Sequence, residues 1–163
     1  MPQNKLHLTG ADCFYEAILK VNDPSHLSNS RCAIYISFKY KVDVQALEDR
    51  IVKNEHIQFL NKIDGICKNW SSAAYWRQTN RKKVVIEQEE THCKTIQEVI
   101  SNEKISCSEW MSFKILSHVK SEKSYLIFYW NHVFMDGFGA ELLLQNLLLG
   151  KHTCMIRPNP NPV

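Results

Sequence analysis

A short stretch of the chain, residues 125–139, reads YLIFYWNHVFMDGFG. Its first part, 125–130, is apolar on both alternating faces, which is typical of a central strand covered on each side. Asn131 and His132 follow at the carboxyl end of this strand, where side chains commonly face a cleft. Asp136 lies in the next turn, ahead of an apolar run that predicts a helix. The stretch therefore predicts a buried strand that carries polar side chains into a strand-to-helix loop.

The residue types in this loop suggest general-base chemistry. A histidine is an effective base near neutral pH when its ring is held in one tautomer. Asp136 can orient the ring of His132 or fix the loop, and Gly137 lets the backbone turn tightly and a ligand approach closely. The same spacing also fits a structural histidine at a strand end, so both interpretations remain open from the residues alone.

The rest of the chain predicts strands and helices around this stretch. Residues 110–119 alternate in polarity and predict an antiparallel hairpin with 125–130 across a polar turn. Further strands are predicted at 32–40 and 84–87, and the stretch 56–76 reads as irregular, with a turn at 64–65. Helices are predicted at 10–21, 43–54, 95–104 and 137–149, with Asp43 and Gly150 as caps. The pattern divides into a lobe over 1–150 and a Pro/Asn-rich tail or linker over 151–163.

Composition narrows the function classes. The 163 residues are 44% hydrophobic and 23% charged, which is typical of one ordinary globular domain. A net charge of +3 gives no electrostatic reason to expect a nucleic-acid partner. No apolar run has the length of a membrane span, and the histidines and cysteines lack the short spacings of a metal site. We therefore expect no nucleic acid, no membrane span and no metal.

The cysteines and the amino terminus predict a cytoplasmic location. The sequence has six cysteines without a C-x-x-C pair, and residues 1–8 contain no apolar signal core. We interpret the cysteines as free thiols in a reducing compartment.

Residues 132–137, HVFMDG, match the H-x-x-x-D-G motif of the condensation-domain and CoA-dependent acyltransferase superfamily. The start LTGADCF at 8–14 is similar to that of wax ester synthase-like members, and the order of strands and helices also resembles the family, including its alcohol acyltransferase-like members. The resemblance implies an α+β fold. The chain would form one chloramphenicol acetyltransferase-like lobe, a mixed, mostly antiparallel sheet covered by helices.

The resemblance also implies a reaction. His132 would be the catalytic general base that takes a proton from a hydroxyl or amine acceptor as it attacks an acyl thioester. The donor would be acyl-CoA or a phosphopantetheinyl carrier protein, with no bound cofactor and no acyl-enzyme. Asp136 would be structural, typically held by an arginine, and Gly137 would permit the turn into the following helix.

Two neighbours of the motif are further candidates. Asn131 stands where condensation domains and wax synthases usually carry a second histidine, so it either lends an amide to the site or points to the other face. Trp130 alternates with His132, which places both on one side if the strand continues. We therefore expect Asn131 and Trp130 as possible lining residues of the substrate tunnel.

Most members of the superfamily have two lobes with the tunnel between them. This chain resembles the amino-terminal lobe alone, so the resemblance implies a missing carboxyl-terminal lobe or another subunit as partner. The alternative is a non-catalytic binding or assembly module built on the same lobe.

Overall fold

The computed structural model describes residues 6–7, 31–69, 72–78, 84–103, 111–132 and 134–150. Seven strands are found within these ranges: β1 (Leu6–His7), β2 (Arg31–Phe38), β3 (Ile63–Asn69), β4 (Ser72–Gln78), β5 (Val85–Thr91), β6 (Met111–His118) and β7 (Ser124–Asn131). The described helices are α1 (Val44–Lys53), α2 (Glu55–Leu60), α3 (Ile96–Asn102) and α4 (Gly137–Leu149). None of these helices is long and apolar enough to cross a membrane.

The strands form two sheets. The larger one has the order β2-β7-β6-β5, in which β7 is antiparallel to both β2 and β6, and β5 runs parallel to β6. The smaller one has the order β1-β4-β3 and is antiparallel. The predicted α+β class, with a mixed and mostly antiparallel sheet, is therefore confirmed.

Strand β7 is central in the larger sheet, as its sequence predicts. All eight of its residues are buried. The main core lies between one face of the sheet and helices α1, α2 and α4, and it includes Phe113, Leu126, Phe128, Trp130, Leu143 and Leu147. A smaller core lies on the opposite face beneath α3 and includes Val99, Leu116, Tyr125, Ile127 and Tyr129. An apolar strand with both faces covered follows directly from this arrangement.

The predicted helix boundaries near the site agree with the structure. The Asp43 carboxylate accepts a hydrogen bond from the Ala46 amide at 3.0 Å and caps α1. Helix α4 ends at Gly150, whose φ of 64° is the left-handed conformation that glycine adopts at low cost. The Arg50 guanidinium donates to the Leu148 carbonyl at 2.6 Å, which ties α1 to the carboxyl end of α4.

The interpretation of 56–76 as irregular is wrong. Helix α2 begins at Glu55 and occupies the first part of this stretch. The Asn54 side chain caps the Ile57 amide, and Ile57 itself is completely buried. Strands β3 and β4 then form an antiparallel pair with two register shifts. Such irregularities break the alternation by which a strand is recognised in a sequence. The predicted turn residue Gly65 lies inside β3 and pairs with Arg77.

Strand β5 is longer than the predicted strand 84–87. It continues through Glu90 to Thr91, and most of its side chains are exposed. Because β5 is at an edge of the sheet, charged side chains are compatible with its pairing to β6. The predicted helix 10–21 and the tail 151–163 lie outside the described residues.

Candidate active site

The strand-to-helix junction that follows β7 carries the candidate base. The Phe134 amide donates to the Asn131 carbonyl at 2.9 Å, so the chain turns sharply as soon as the strand ends. His132 lies in this turn, where it is half-buried and its Nδ1 atom is enclosed by protein. The imidazole is thus carried by the end of a fully buried strand, which is a rigid support for a catalytic group.

Asp136 is the N-cap of α4. Its Oδ1 atom accepts a hydrogen bond from the Gly139 amide at 2.7 Å, and its carbonyl accepts one from the Ala140 amide at 3.0 Å. A carboxylate at this position satisfies a free helix amide and interacts favourably with the positive end of the helix dipole. The described contacts of Asp136 therefore fix the start of α4 directly after the loop that holds His132.

We expect the Asp136→Ala variant to lose about 1 kcal/mol of unfolding free energy, because the Gly139 amide loses its acceptor. The Asp136→Asn variant should retain most of the stability, since an amide oxygen can accept the same hydrogen bond. Urea unfolding of the two variants and the parent protein measures the difference. Equal losses in both variants would contradict the capping role.

The two glycines of the junction differ in what they permit. A Cβ atom at Gly139 would stand 3.2 Å from the Asp136 Oδ1 atom and 3.4 Å from the Met135 Cβ atom, so the cap leaves little room there. At Gly137 no heavy atom lies within 4 Å of the same position, and φ is not positive. Within the described part of the lobe, close packing therefore explains the glycine at position 139. This residue lies outside the H-x-x-x-D-G motif, which ends at Gly137. Helix-capping patterns favour Glu or Gln at this position, so they do not single out Gly139 in the sequence.

Trp130 is a core residue. Only 3% of its surface is exposed, and its ring packs on the α4 side of the sheet. The indole Nε1 atom donates to the Met135 carbonyl at 2.9 Å. A ring buried to this extent contributes almost no surface to a tunnel wall, so its position does not favour the predicted lining role.

Asn131 is also buried, with 4% of its surface exposed. Alternation along β7 directs it to the face opposite Trp130, the face covered by α3. Of the two alternatives that the sequence left open for Asn131, its position in the strand favours the one in which the side chain points away from the site. Tyr129 lies on the same face as Asn131, and its hydroxyl donates to the Glu103 carboxylate at 3.3 Å.

A polar cluster that the sequence did not reveal surrounds that carboxylate. The ammonium group of Lys114 on β6 lies 3.0 Å from Glu103 and 2.9 Å from Glu89 on β5. The side chains of Lys114 and Glu103 are only 13% and 16% exposed. The cluster therefore joins the end of α3 to three strands of the larger sheet.

Two members of the cluster, Lys114 and Tyr129, have a raised pKa. Burial lowers the pKa of Lys114, but hydrogen bonds and charge interactions with Glu89 and Glu103 outweigh burial, and the net pKa is above its ordinary value. Burial first, and then the nearby Glu103 carboxylate, hold the pKa of the Tyr129 hydroxyl well above its usual range. Tyr129 thus remains a donor where a free tyrosine would ionise.

This pKa difference predicts a loss of stability in alkali. Tyrosine in the unfolded chain loses its proton near pH 10, whereas Tyr129 in the folded protein retains it. Above about pH 10 the unfolded state therefore binds fewer protons, and the unfolding free energy falls as pH rises. We expect a shallower fall in the Tyr129→Phe variant, as measured by urea unfolding between about pH 8 and about pH 11. Identical slopes would contradict the assignment.

The junction between β7 and α4 carries His132, Asp136 and Gly137, and Trp130 supports it from the core, while alternation along β7 turns the Asn131 side chain to the opposite face. Among the described residues, no three histidine, cysteine, aspartate or glutamate side chains are grouped to hold a metal ion. The arrangement offers an imidazole on a rigid strand end, beside the capped amino terminus of a 13-residue helix. Such a group is suited to accept a proton from a bound hydroxyl or amine.

The solved structures with a similar fold include condensation domains. The starter condensation domain of rhizomide synthetase, as a double mutant in complex with C8-CoA, is similar over 88% of this chain and 34% of its own, with a TM-score of 0.66 and 11% identity. The first condensation domain of the calcium-dependent antibiotic synthetase, in complex with a substrate analogue, is similar over 88% of this chain and 36% of its own. Its TM-score is 0.65 and its sequence identity is 9%. A structure for condensation domain-mediated chain release from the enacyloxin polyketide synthase is similar over 90% of this chain and 30% of its own. Its TM-score is 0.61 and its sequence identity is 12%.

The similarity confirms the fold expected from the motif. At 9–12% identity it is a similarity of fold alone. No protein-family model matches the sequence, and the search of curated proteins found no match. The chain spans about a third of the length of the condensation domains that it matches.

Proposed function

We propose that this chain is the amino-terminal lobe of an acyltransferase that moves an acyl group from a thioester to a hydroxyl or amine. The observation that carries the proposal is the position of His132 at the end of β7, directly before a helix capped by Asp136. The fold shared with condensation domains supports the same assignment, since one of these proteins was crystallised with C8-CoA.

In the proposed reaction His132 is the general base. The acceptor oxygen or nitrogen bonds to the thioester carbonyl carbon as its proton passes to the imidazole. The carbon–sulfur bond then breaks, and the imidazolium returns the proton to the departing thiolate. Neither step needs an enzyme nucleophile, so no cysteine takes part. The donor is acyl-CoA or a phosphopantetheinyl carrier protein.

The remaining site residues position this base. Asp136 holds the start of α4 through the Gly139 amide, and Asn131 ends the strand that precedes the imidazole. The described lobe supplies one side of a substrate tunnel in this proposal. A second lobe or another subunit supplies the opposite side, because the chain spans only about a third of the domains it resembles.

The direct test is an acyl-transfer assay. The protein is incubated with C8-CoA and a panel of amines and alcohols, and mass spectrometry detects free CoA and acylated product. Sequencing the native transcript beyond the codon for Val163 decides whether the assay should use a longer protein. Absence of product from the complete protein across donors and acceptors would contradict the proposal.

A second function is a binding or assembly module without catalysis. Several large apolar side chains are exposed on the lobe, including Tyr40, Val52, Phe138 and Leu149. Of these, Tyr40 and Leu149 line one groove with residues of β2, α1 and α4, and an apolar groove is compatible with contact to another domain or subunit. Ligand binding or a defined oligomer that is unchanged by His132→Ala, in the absence of transfer, would favour this function.

A further inference from the structure

A row of three aromatic rings runs through the main core toward the candidate site. The rings of Phe113 and Phe128 stack with centroids 4.8 Å apart, and those of Phe128 and Trp130 stack at 5.3 Å. Phe113 and Phe128 are completely buried, and Trp130 is 3% exposed. The indole ring is therefore held on one side by the packed core of β6 and β7.

Trp130, the last ring of the row, directs its indole N–H to the loop after β7. The Nε1 atom of Trp130 donates to the Met135 carbonyl at 2.9 Å. Met135 immediately precedes the N-cap Asp136, and its own side chain packs partly against the core. The indole thus joins the end of β7 to the start of α4. His132 lies in the segment between these two hydrogen-bonded residues.

Hydrogen bonds at both ends of this segment have different effects. The bond from the Phe134 amide to the Asn131 carbonyl closes its first turn, and the Asp136 cap fixes the start of α4, where the loop ends. The Trp130 bond spans the loop and connects the last part of the strand to the residue before the helix cap. Because it is partly buried, water competes for it poorly.

We propose that Trp130 is a positioning residue for His132. Its indole N–H holds the Met135 carbonyl, and the loop therefore presents the imidazole in one place relative to the strand and helix. The role rests on the proposed acyl transfer, in which misplacing the base by about 1 Å slows the proton transfer. A tryptophan that only filled the core would act through its volume and not through its N–H.

The test separates the N–H from the ring. Site-specific incorporation of 3-benzothienylalanine at position 130 replaces the indole N–H by sulfur and retains the size of the ring. Trp130→Phe is a second variant that also removes the donor but leaves a smaller ring. Leu147→Ala is the matched control: Leu147 is a core residue near the far end of α4, so its loss weakens the core without touching the indole bond.

The first readout is independent of activity. In protein labelled at its histidines, the imidazole signals of His132 are assigned by comparison with His132→Gln. We expect the benzothienyl variant to shift or split these signals and to lower the urea midpoint less than Leu147→Ala does, because it removes one hydrogen bond and leaves the core filled. We expect Leu147→Ala to lower the midpoint and leave the His132 signals in place. Unchanged His132 signals in the benzothienyl and Trp130→Phe variants would overturn the proposal.

The second readout is kinetic. We expect kcat of the benzothienyl variant to fall between about 10-fold and about 100-fold with KM for the thioester unchanged, because the bound substrate is the same and the base is misplaced. An unchanged kcat would also overturn the proposal. If the parent protein itself transfers no acyl group, the proposed function fails, and the His132 signals still decide whether Trp130 positions the ring.

Discussion

The His132→Ala variant is expected to transfer acyl groups about 100-fold to about 10,000-fold more slowly than the parent protein, which is the usual contribution of a general base. The imidazole is the group at the end of β7 that would accept the acceptor's proton, and alanine leaves no base in its place. Because His132 is only half-buried and lies in a turn, the substitution should leave the fold intact. The rate of CoA release at saturating C8-CoA and acceptor measures the effect.

His118→Ala is the matched control. His118 ends β6 beside the turn to β7, at the opposite end of the same hairpin from His132. Its Nδ1 atom accepts a hydrogen bond from the Lys120 amide at 3.1 Å, which is a local contact of that turn. We expect this variant to transfer acyl groups at the parental rate. A parental rate in His132→Ala as well would remove His132 from the mechanism.

The Phe128→Ala variant is expected to lose about 3 to 5 kcal/mol of unfolding free energy, the usual cost of removing a phenylalanine ring from a core. Phe128 is completely buried in the central strand, and its ring stacks on both Phe113 and Trp130. Since a domain typically has about 5 to 15 kcal/mol of stability in total, the loss should be large in urea unfolding.

Phe138→Ala makes the same chemical change at the surface. Phe138 lies in the first turn of α4 and is 69% exposed. We expect its unfolding free energy to change by less than about 0.5 kcal/mol. A loss of similar size in both variants would show that burial in β7 is not the source of the stability. A small loss in Phe128→Ala would show that the core can collapse around the missing ring.

Local signals in the sequence predicted the elements that surround the site. The apolar residues of β6, β7 and α4 recur with the periods of strands and of a helix, so the sequence predicts these elements. Asp43 marks the start of α1 because its side chain caps the helix, and Gly150 marks the end of α4 because glycine adopts the left-handed conformation there. The order of a buried strand, His132, Asp136 and an apolar helix is likewise visible in the sequence, and this order is enough to locate the junction.

Other features depend on contacts between distant residues. The sequence did not predict strands β3 and β4, because their register shifts interrupt the alternating pattern of a strand. The cluster of Lys114, Glu103 and Tyr129 draws one residue each from β6, the end of α3 and β7. Two tertiary contacts bring these residues together, the pairing of β6 with β7 and the packing of α3 on the sheet.

The sequence by itself determined which residues form the junction, because strand, loop and helix there are specified by neighbouring side chains. The tertiary structure decided which way those residues face. Trp130 and Asn131 are adjacent in β7, yet Trp130 enters the main core and donates to the Met135 carbonyl, while alternation directs the buried Asn131 to the opposite face. A strand directs successive side chains to opposite faces, but what covers each face depends on helices packed from elsewhere in the chain.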